Sequence, residues 1–340
     1  MKSAEQARNK PVSLPVEEKS RKPIGLSLGA VRTFAPLLAA IAVLLVLFSL
    51  WVPQGRFLTP ANLVDLTQQI SVNAILAFGL TLVILIGGID LSVGAVVAAA
   101  GVVAVSLLNT TGPLGACAGG IGVAVFFGLA NGLFAARTLM PPFIITLATM
   151  LIARGFALGF NESRPLPIAE HQELFLALGN ARWGGWLPMP VILMFGVFLL
   201  STVLLHGTRF GQHLFAIGGN REAARFTGIA IARHEVLVYA FCGACAGLAG
   251  IIHASQLYSA EPAAGMGFEL SAIAAVVLGG TSFSGGIGTI PGTLLGAIII
   301  GILDKGLNQA GVHFSLQYIV KGAVILAAVW YDVFRRNRKR

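Results

Sequence analysis

Apolar and polar positions follow one another along this chain in long blocks. Runs of about 20 predominantly apolar residues, the length that a helix needs to cross a bilayer, recur between charges, prolines and polar clusters. The pattern predicts ten membrane-spanning helices, of which the eighth and ninth are interrupted by glycines. Their predicted ranges are 34–52, 64–87, 92–109, 113–136, 141–160, 189–206, 235–258, 270–285, 289–306 and 316–334.

The composition supports a chain whose main solvent is lipid. Hydrophobic residues make up 56% of it and charged residues 11%, whereas soluble domains carry about a quarter charged residues. The predicted fold is therefore all-α, a polytopic membrane helix bundle with broken or re-entrant glycine-rich segments. We expect a disordered basic tail at 1–33, a transmembrane domain at 34–334 and a second basic tail at 335–340. The first apolar run is too long for a signal-peptide core and has no convincing cleavage site behind it.

The distribution of positive charge predicts the orientation. With the N-terminal tail inside, the cytoplasmic segments hold 17 of the 23 lysines and arginines and the outer segments hold four. Arg154 and Lys321 fall within spans. This asymmetry follows the positive-inside rule and places both termini in the cytoplasm. Because the net charge of +9 is clustered on one membrane side, it does not indicate a nucleic-acid partner.

The residues that usually carry catalysis or bind metal form no recognisable set. Cys242 and Cys245 form a C-x-x-C on an apolar span, where packing between helices is a better interpretation than redox chemistry. The six histidines lack metal-site spacing, so we expect no metal, no cofactor and no enzymatic activity. The sequence contains no G-x-x-x-x-G-K-[ST]. If ATP drives this protein, a partner chain must bind it.

The long inner connection, 207–234, contains a predicted short helix. Asn220 is a suitable N-cap for a helix from Arg221 to about Thr227, and Gly228 is placed to end it. Glu222 lies in the first turn, where a negative charge favours the helix dipole. A two-turn helix is marginal alone in water, so it needs a docking partner or the membrane surface. The alternative is a surface turn whose arginines only set topology. A small, partly apolar surface is formed by Ala223, Ala224 and Phe226.

Polar residues inside the apolar spans are candidates for a transport path. Asp90 and Ser92 follow two glycines, which indicates either a broken helix that lines a polar cavity or a turn in which Asp90 caps the third span. Arg154 either faces the path or forms an ion pair within the bundle, for example with Asp90. We expect Asn131 to bond between helices and Asn73 to reach the cavity.

Four long motifs occur in the order typical of one transporter family. They are GGIDLSVG at 87–94, PPFIITLATMLIARG at 141–155, AIGGNREAARFTGI at 216–229 and AAVVLGGTSFSGGIGTIPGTLLGAIIIG at 274–301. From about 34 to 334 the chain resembles the ribose-type sugar ABC permeases. The first motif also recurs loosely as GGTSFSGG, and internal duplication remains open.

The resemblance implies a channel-forming subunit of the bacterial inner membrane that imports a monosaccharide or related polyol. The implied partners are a cytoplasmic ABC ATPase, a periplasmic sugar-binding protein, a second permease copy or paralogue, and membrane lipids. The outer connection at 161–188 diverges most from the family pattern, so the sequence names no particular sugar. The residues that match the ATPase-docking loop are Gly219, Asn220, Glu222, Ala223, Ala224 and Gly228.

The candidates for the translocation path are Asn73, Asp90, Ser92, Arg154, Ser282 and Ser284. An ion-gradient-driven sugar transporter is the alternative function. Such a transporter usually needs several intramembrane charged residues as a relay, and the candidates identified here are Asp90, Arg154 and Lys321.

Overall fold

A computed structural model describes residues 28–337, and from Leu37 onward they belong to one compact unit. The α-helices are α1 (Leu28–Trp51), α2 (Pro60–Leu85), α3 (Val93–Arg137), α4 (Pro142–Gly159), α5 (Glu173–Asn180), α6 (Met189–Thr202), α7 (Arg209–Gly219), α8 (Arg221–Phe226), α9 (Ile231–Gln256), α10 (Phe268–Leu278), α11 (Ile290–Gln309) and α12 (Phe314–Asn337). The strands are β1 (Leu166–Pro167), β2 (Arg182–Trp183), β3 (Leu187–Pro188) and β4 (Ser259–Ala260).

The predicted all-α membrane fold is confirmed, because seven helices in the described part of the chain are long and apolar enough to cross a bilayer. One of them, α3, has 45 residues, which as a straight helix would measure about 68 Å, more than twice the hydrocarbon thickness. Gly112, with φ 70° and ψ 178°, breaks it before Pro113. The second arm folds back, so that Gly120 packs on the backbone of Ala100. The two arms correspond to the third and fourth predicted spans.

The predicted eighth span, 270–285, is wrong in its second half. The helix α10 has 11 residues, about 17 Å, which is too short to cross the hydrocarbon layer. The segment 279–289 that follows is irregular. Gly280, Gly285 and Gly286 have φ values of 88°, 79° and 74°, a conformation that glycine adopts readily and that ends a helix. Apolar composition alone did not reveal this break.

The irregular segment 279–289 contacts the end of α2, directly before the irregular segment 86–92. Each follows a helix and precedes a helix that returns through the bundle, α2 and α3 in the first case, α10 and α11 in the second. The amide of Gly286 donates to the carbonyl oxygen of Leu85 at 2.9 Å. The unwound backbone therefore satisfies part of its hydrogen bonding within the protein, as it must at membrane depth.

The predicted loops and tails contain more helix than expected. The outer connection holds α5 and an antiparallel pairing of β2 with β3, while β1 pairs with β4. The inner connection holds α7, which was not predicted. Of the tail predicted at 1–33, residues 1–27 lie outside the described residues. Residues 28–33 are helical, because α1 begins at Leu28. At the other end, 335–337 continue α12 instead of starting a tail.

The centre of the bundle is α9 packed along α3. Small residues allow the backbones to approach closely: Gly243 contacts Ala124, and Gly250 contacts Val97. Cys242 and Cys245 are buried, unbonded to each other, and packed against Gly79 of α2. The interpretation of this C-x-x-C as a packing element is consistent with that position.

Candidate functional site

The short helix predicted in the inner connection is confirmed as α8. The side chain of Asn220 caps it by accepting from the amide of Ala223 at 2.9 Å. At the other end, Gly228 has φ 81° and its amide donates to the carbonyl of Arg225 at 3.1 Å. These are the N-cap and left-handed C-terminal conformations that the two residue types favour.

One face of α8 is exposed and the other is anchored. Phe226 is 91% exposed, and Glu222 and Ala223 are exposed as well. Ala224 is only 3% exposed and packs inward. The prediction that Ala224 belongs to the exposed surface of the helix is therefore wrong. An exposed phenylalanine on a six-residue helix is a suitable contact for another protein.

An ion pair fastens α8 to the central helix. The Arg221 guanidinium lies 2.6 Å from the carboxylate of Glu235, near the start of α9. Glu235 is buried, while Arg221 remains half exposed. If the Arg221 side chain moved away, the Glu235 carboxylate would remain buried without a partner, which is strongly destabilising. The ion pair therefore holds α8 and the start of α9 together.

The end of α7 forms a second junction with the bundle. Gly218 packs directly on the carbonyl of Leu85, at the end of α2, and on the amide of Gly286. A Cβ atom at residue 218 would overlap both groups. Three segments therefore meet by backbone contact: the end of α2, the irregular segment 279–289 and α7. A displacement of α7 must move at least one of the other two.

Asp90 and Ser92 lie in the packed interior. Asp90 is 2% exposed, and its Oδ1 accepts from the amide and the hydroxyl of Ser92 at 2.8 and 2.6 Å. Asn131 donates to the Ser92 hydroxyl at 3.0 Å. Both residues belong to the irregular segment 86–92 before α3, and Asp90 bonds to the N-cap residue Ser92, while no side chain caps α3 itself. Asn131 bonds between segments as expected.

Arg154 binds backbone, and the proposed pair with Asp90 does not form. Its guanidinium donates to the carbonyls of Pro262 and Ala264 at 3.0 and 2.7 Å. These carbonyls belong to the irregular segment 261–267 that precedes α10. The arginine therefore satisfies unwound backbone within the bundle.

Ser282 and Ser284 lie inside the turn of the second irregular segment. The Ser282 side chain accepts from the amide of Ser284 at 3.1 Å, and the Ser282 amide donates to the carbonyl of Ile287 at 2.9 Å. Both serines thus participate in the local geometry of the turn.

A cavity of about 620 Å³ opens at the other end of the bundle from α8. It is bounded by α2, the last turn of α9, α10, α11 and α12. Among the six predicted path residues, Asn73 lines it and the other five do not. The polar groups of the lining are contributed mainly by Asp65, Gln68, Gln69, Asn73, His253, Gln256, Ser271, Asp304, Lys305, Tyr318 and Lys321.

The charges in the lining balance. Two carboxylates, Asp65 and Asp304, and two ammonium groups, Lys305 and Lys321, belong to the lining. Lys321 lies 2.9 Å from Asp304 and joins α12 to α11. The wall is thus polar without net charge.

The cavity ends within the bundle. Asn73 is 12 residues before Leu85 on α2, a rise of about 18 Å. Between them, Thr81 contacts Thr293 of α11, with the two hydroxyl oxygens 2.8 Å apart and both residues fully buried. The buried packing around Thr81 and Thr293 therefore lies between the cavity and the α8 end of α2.

Sequence reasoning missed most of the cavity, although one signal was present. Asp65, Gln69 and Asn73 are spaced four residues apart, so they form one polar stripe on an otherwise apolar helix. Gln256 and Tyr318 lie near helix ends, where polar residues need no special explanation. No group of three or more His, Cys, Asp or Glu able to hold a metal occurs in the part of the chain described.

Comparison with known proteins identifies the family. Residues 62–329 match the family model described as branched-chain amino acid transport system / permease component. The chain is 45% identical over 298 residues to the ribose import permease protein RbsC of Escherichia coli K12, covering 87% of this chain and 92% of that protein. The Bacillus subtilis RbsC is 43% identical over 305 residues, 89% of this chain and 94% of that protein.

Related sugar permeases match over similar lengths. The L-arabinose transport system permease protein AraH of Escherichia coli K12 is 36% identical over 305 residues, 89% of this chain and 92% of that protein. These relatives are named as permease proteins of transport systems. Together with the seven apolar helices, these matches show that the chain is a multi-pass protein of the bacterial inner membrane that belongs to the ribose-type sugar ABC permease family.

Proposed function

We propose that this chain forms the translocation path of an ATP-binding-cassette importer for a monosaccharide or a related small polyol. Relatives named for ribose, L-arabinose and D-allose support this class of substrate. Hydrolysis of ATP takes place on a separate subunit, since the sequence contains no G-x-x-x-x-G-K-[ST].

The observation that carries the proposal is the exposed helix α8. It has six residues, too few to be stable alone, yet it is capped at both ends and held to α9 by the Arg221–Glu235 pair. It presents Phe226 and Glu222 to solvent. We assign this surface, with Gly219, Asn220 and Ala223, to the docking of the ATPase, and Ala224 and Gly228 to holding the helix in place.

The coupling follows from the two junctions of the inner connection. Closure of the ATPase displaces α8 and α7, the Arg221–Glu235 pair passes the displacement to α9, and Gly218 passes it to the end of α2. Both α2 and α9 line the cavity at their far ends. The ATPase contact must differ between the two conformations, because a contact of equal strength in both shifts no equilibrium.

We place α8 and both chain termini in the cytoplasm, since that orientation puts most basic residues inside. The cavity then opens to the periplasm, where a binding protein delivers the substrate. A second copy or a paralogue completes the path. The basic residues within 1–33 and 335–340 suit contact with anionic lipid headgroups.

A gradient-driven carrier is less well supported. It needs titratable groups that can exchange ions across the bundle. Arg154 is engaged with two carbonyls and Lys321 with Asp304. These contacts give both residues structural roles.

The experiment is a pull-down of the tagged, detergent-solubilised protein from its native membrane, followed by mass spectrometry. We expect an ATPase with a phosphate-binding loop to co-purify with the wild type and to be lost from Glu222→Arg. Glu173→Arg is the matched control, because Glu173 is an exposed residue in the first turn of α5, outside the inner connection. Equal recovery of the ATPase with Glu222→Arg would contradict the docking assignment, and its absence from the wild type would contradict the function.

A further inference from the structure

The cavity wall contains two amides whose hydrogen bonding is incomplete. Oδ1 of Asn73, on α2, and Nε2 of Gln256, at the end of α9, are buried and have no hydrogen-bond partner among the described residues. Both side chains line the cavity. An unmet buried polar atom costs free energy that a ligand can recover. The last torsion of an amide side chain is broad, so each of these groups can adjust its orientation to a ligand in the cavity.

The two unmet atoms call for a ligand that both donates and accepts. Oδ1 of Asn73 is an acceptor and Nε2 of Gln256 is a donor, and a hydroxyl group can serve either one. A molecule with several hydroxyls can satisfy both at once. A purely apolar ligand could satisfy neither.

The rest of the wall suits an uncharged ring. Its two carboxylates and two ammonium groups balance, and Lys321 is paired with Asp304. Phe268 and Tyr318 supply aromatic surface, and Ser271 adds a hydroxyl. The volume of about 620 Å³ lies within the range of small-molecule sites and holds about 20 water molecules. A cyclic polyol has an apolar face for the rings and hydroxyls for the amides.

We infer that this cavity is the site that receives one neutral monosaccharide in the outward-open conformation, with Asn73 and Gln256 hydrogen-bonding its hydroxyls. The inference rests on the proposed importer function and adds the binding residues. The site is closed on the α8 side by the packing around Thr81 and Thr293. The sugar therefore waits in the cavity until α2 and α9 move.

The test is uptake in cells that lack this chain and carry wild-type or variant copies, with radiolabelled D-ribose, L-arabinose, D-allose and L-leucine as probes below half-saturation. Asn73→Ala and Gln256→Ala should each lower uptake of the transported sugar about tenfold, the cost of about one hydrogen bond. Ser201→Ala is the matched control: its hydroxyl is also buried and without a partner, but it lies outside the cavity. It should stay within twofold of wild type.

A labelling measurement covers the case in which a variant folds poorly. Ser271→Cys should react with a membrane-impermeant maleimide from the periplasmic side, and the transported sugar should slow the reaction, whereas Ser201→Cys should not react. Unchanged uptake in both alanine variants, accumulation of leucine alone, or labelling that no sugar slows would overturn the inference. Co-purification of the ATPase, measured on the same variants, separates these outcomes from failure of the importer function, since the cavity variants should retain it.

Discussion

The guanidinium of Arg221 and the carboxylate of Glu235 lie 2.6 Å apart and connect the exposed helix α8 to the helix at the centre of the bundle. From Glu235, α9 runs 21 residues to Gln256 at the cavity, a distance of about 32 Å. One ion pair and one helix thus link the surface proposed for the ATPase with the cavity proposed for the sugar.

Loss of charge at Glu235 should weaken coupling more than assembly. Glu235→Gln keeps the shape of the side chain but removes the ionic attraction to Arg221, so α8 can move without α9. We expect the number of sugars transported per ATP hydrolysed to fall several-fold in reconstituted vesicles, while the ATPase still co-purifies. Glu173→Gln, at an exposed position in the first turn of α5, should have no effect. If Glu235→Gln transported as many sugars per ATP hydrolysed as the wild type, the Arg221–Glu235 pair would not take part in coupling.

Adjacent glycines should respond in opposite ways to a methyl group. In Gly218→Ala the added Cβ overlaps the Leu85 carbonyl and the Gly286 amide, whereas nothing lies within 4 Å of a Cβ added at Gly219. Overpacking of this kind costs about 1–3 kcal/mol. Thermal unfolding in detergent should therefore show a lower Tm for Gly218→Ala and an unchanged or slightly higher Tm for Gly219→Ala. Equal Tm values would show that the junction is looser than described.

Arg154 should protect the backbone of the irregular segment before α10 from hydrogen exchange. Arg154→Met removes the donors to Pro262 and Ala264 and leaves two carbonyls of this segment unpaired, a loss of about 2 kcal/mol. Hydrogen exchange measured by mass spectrometry should accelerate at 261–267. Arg182→Met is the control, because its pair with Asp65 is 3.4 Å long and half exposed. Unchanged exchange at 261–267 would contradict the role given to Arg154.

The contact between Thr81 and Thr293 should stabilise the closed side of the bundle. Thr81→Val removes a buried hydroxyl that also bonds to the carbonyl of Ala77 at 2.7 Å. We expect a loss of about 1 kcal/mol in stability and more ATP hydrolysis in the absence of sugar. Thr67→Val, where the hydroxyl bonds only locally and is exposed, should change neither. If Thr81→Val changed neither the stability nor the ATP hydrolysis without sugar, the Thr81–Thr293 contact would have no role in keeping this side of the bundle closed.

The sequence predicted the fold class and α8 because both depend on local signals. Apolar runs of membrane length marked most helices, and the cap residues Asn220 and Gly228 marked the short one. An interruption of the eighth span by glycines was predicted, but the early end of α10 at Leu278 was not. Gly280, Gly285 and Gly286 act through positive φ values, and hydropathy carries no information on φ.

The contacts of the candidate site could not be predicted from one sequence. Gly218 meets Leu85 across more than 130 residues of chain, and Arg154 meets carbonyls of residues more than 100 positions away. A residue type shows that a group is polar or small, but not which partner the fold brings to it. For that reason the sequence left open whether Arg154 faces the path or pairs within the bundle, and it did not identify the carbonyls of Pro262 and Ala264 as its partners.

ATP-driven uptake in vesicles tests the central claim most directly. Proteoliposomes holding this chain and the co-purified ATPase, supplied with the binding protein outside and ATP inside, should accumulate labelled sugar. This accumulation should persist when ionophores remove every ion gradient, and it should fail with Glu222→Arg. Uptake that stops with the ionophores and continues without the ATPase would contradict the account and identify a gradient-driven carrier.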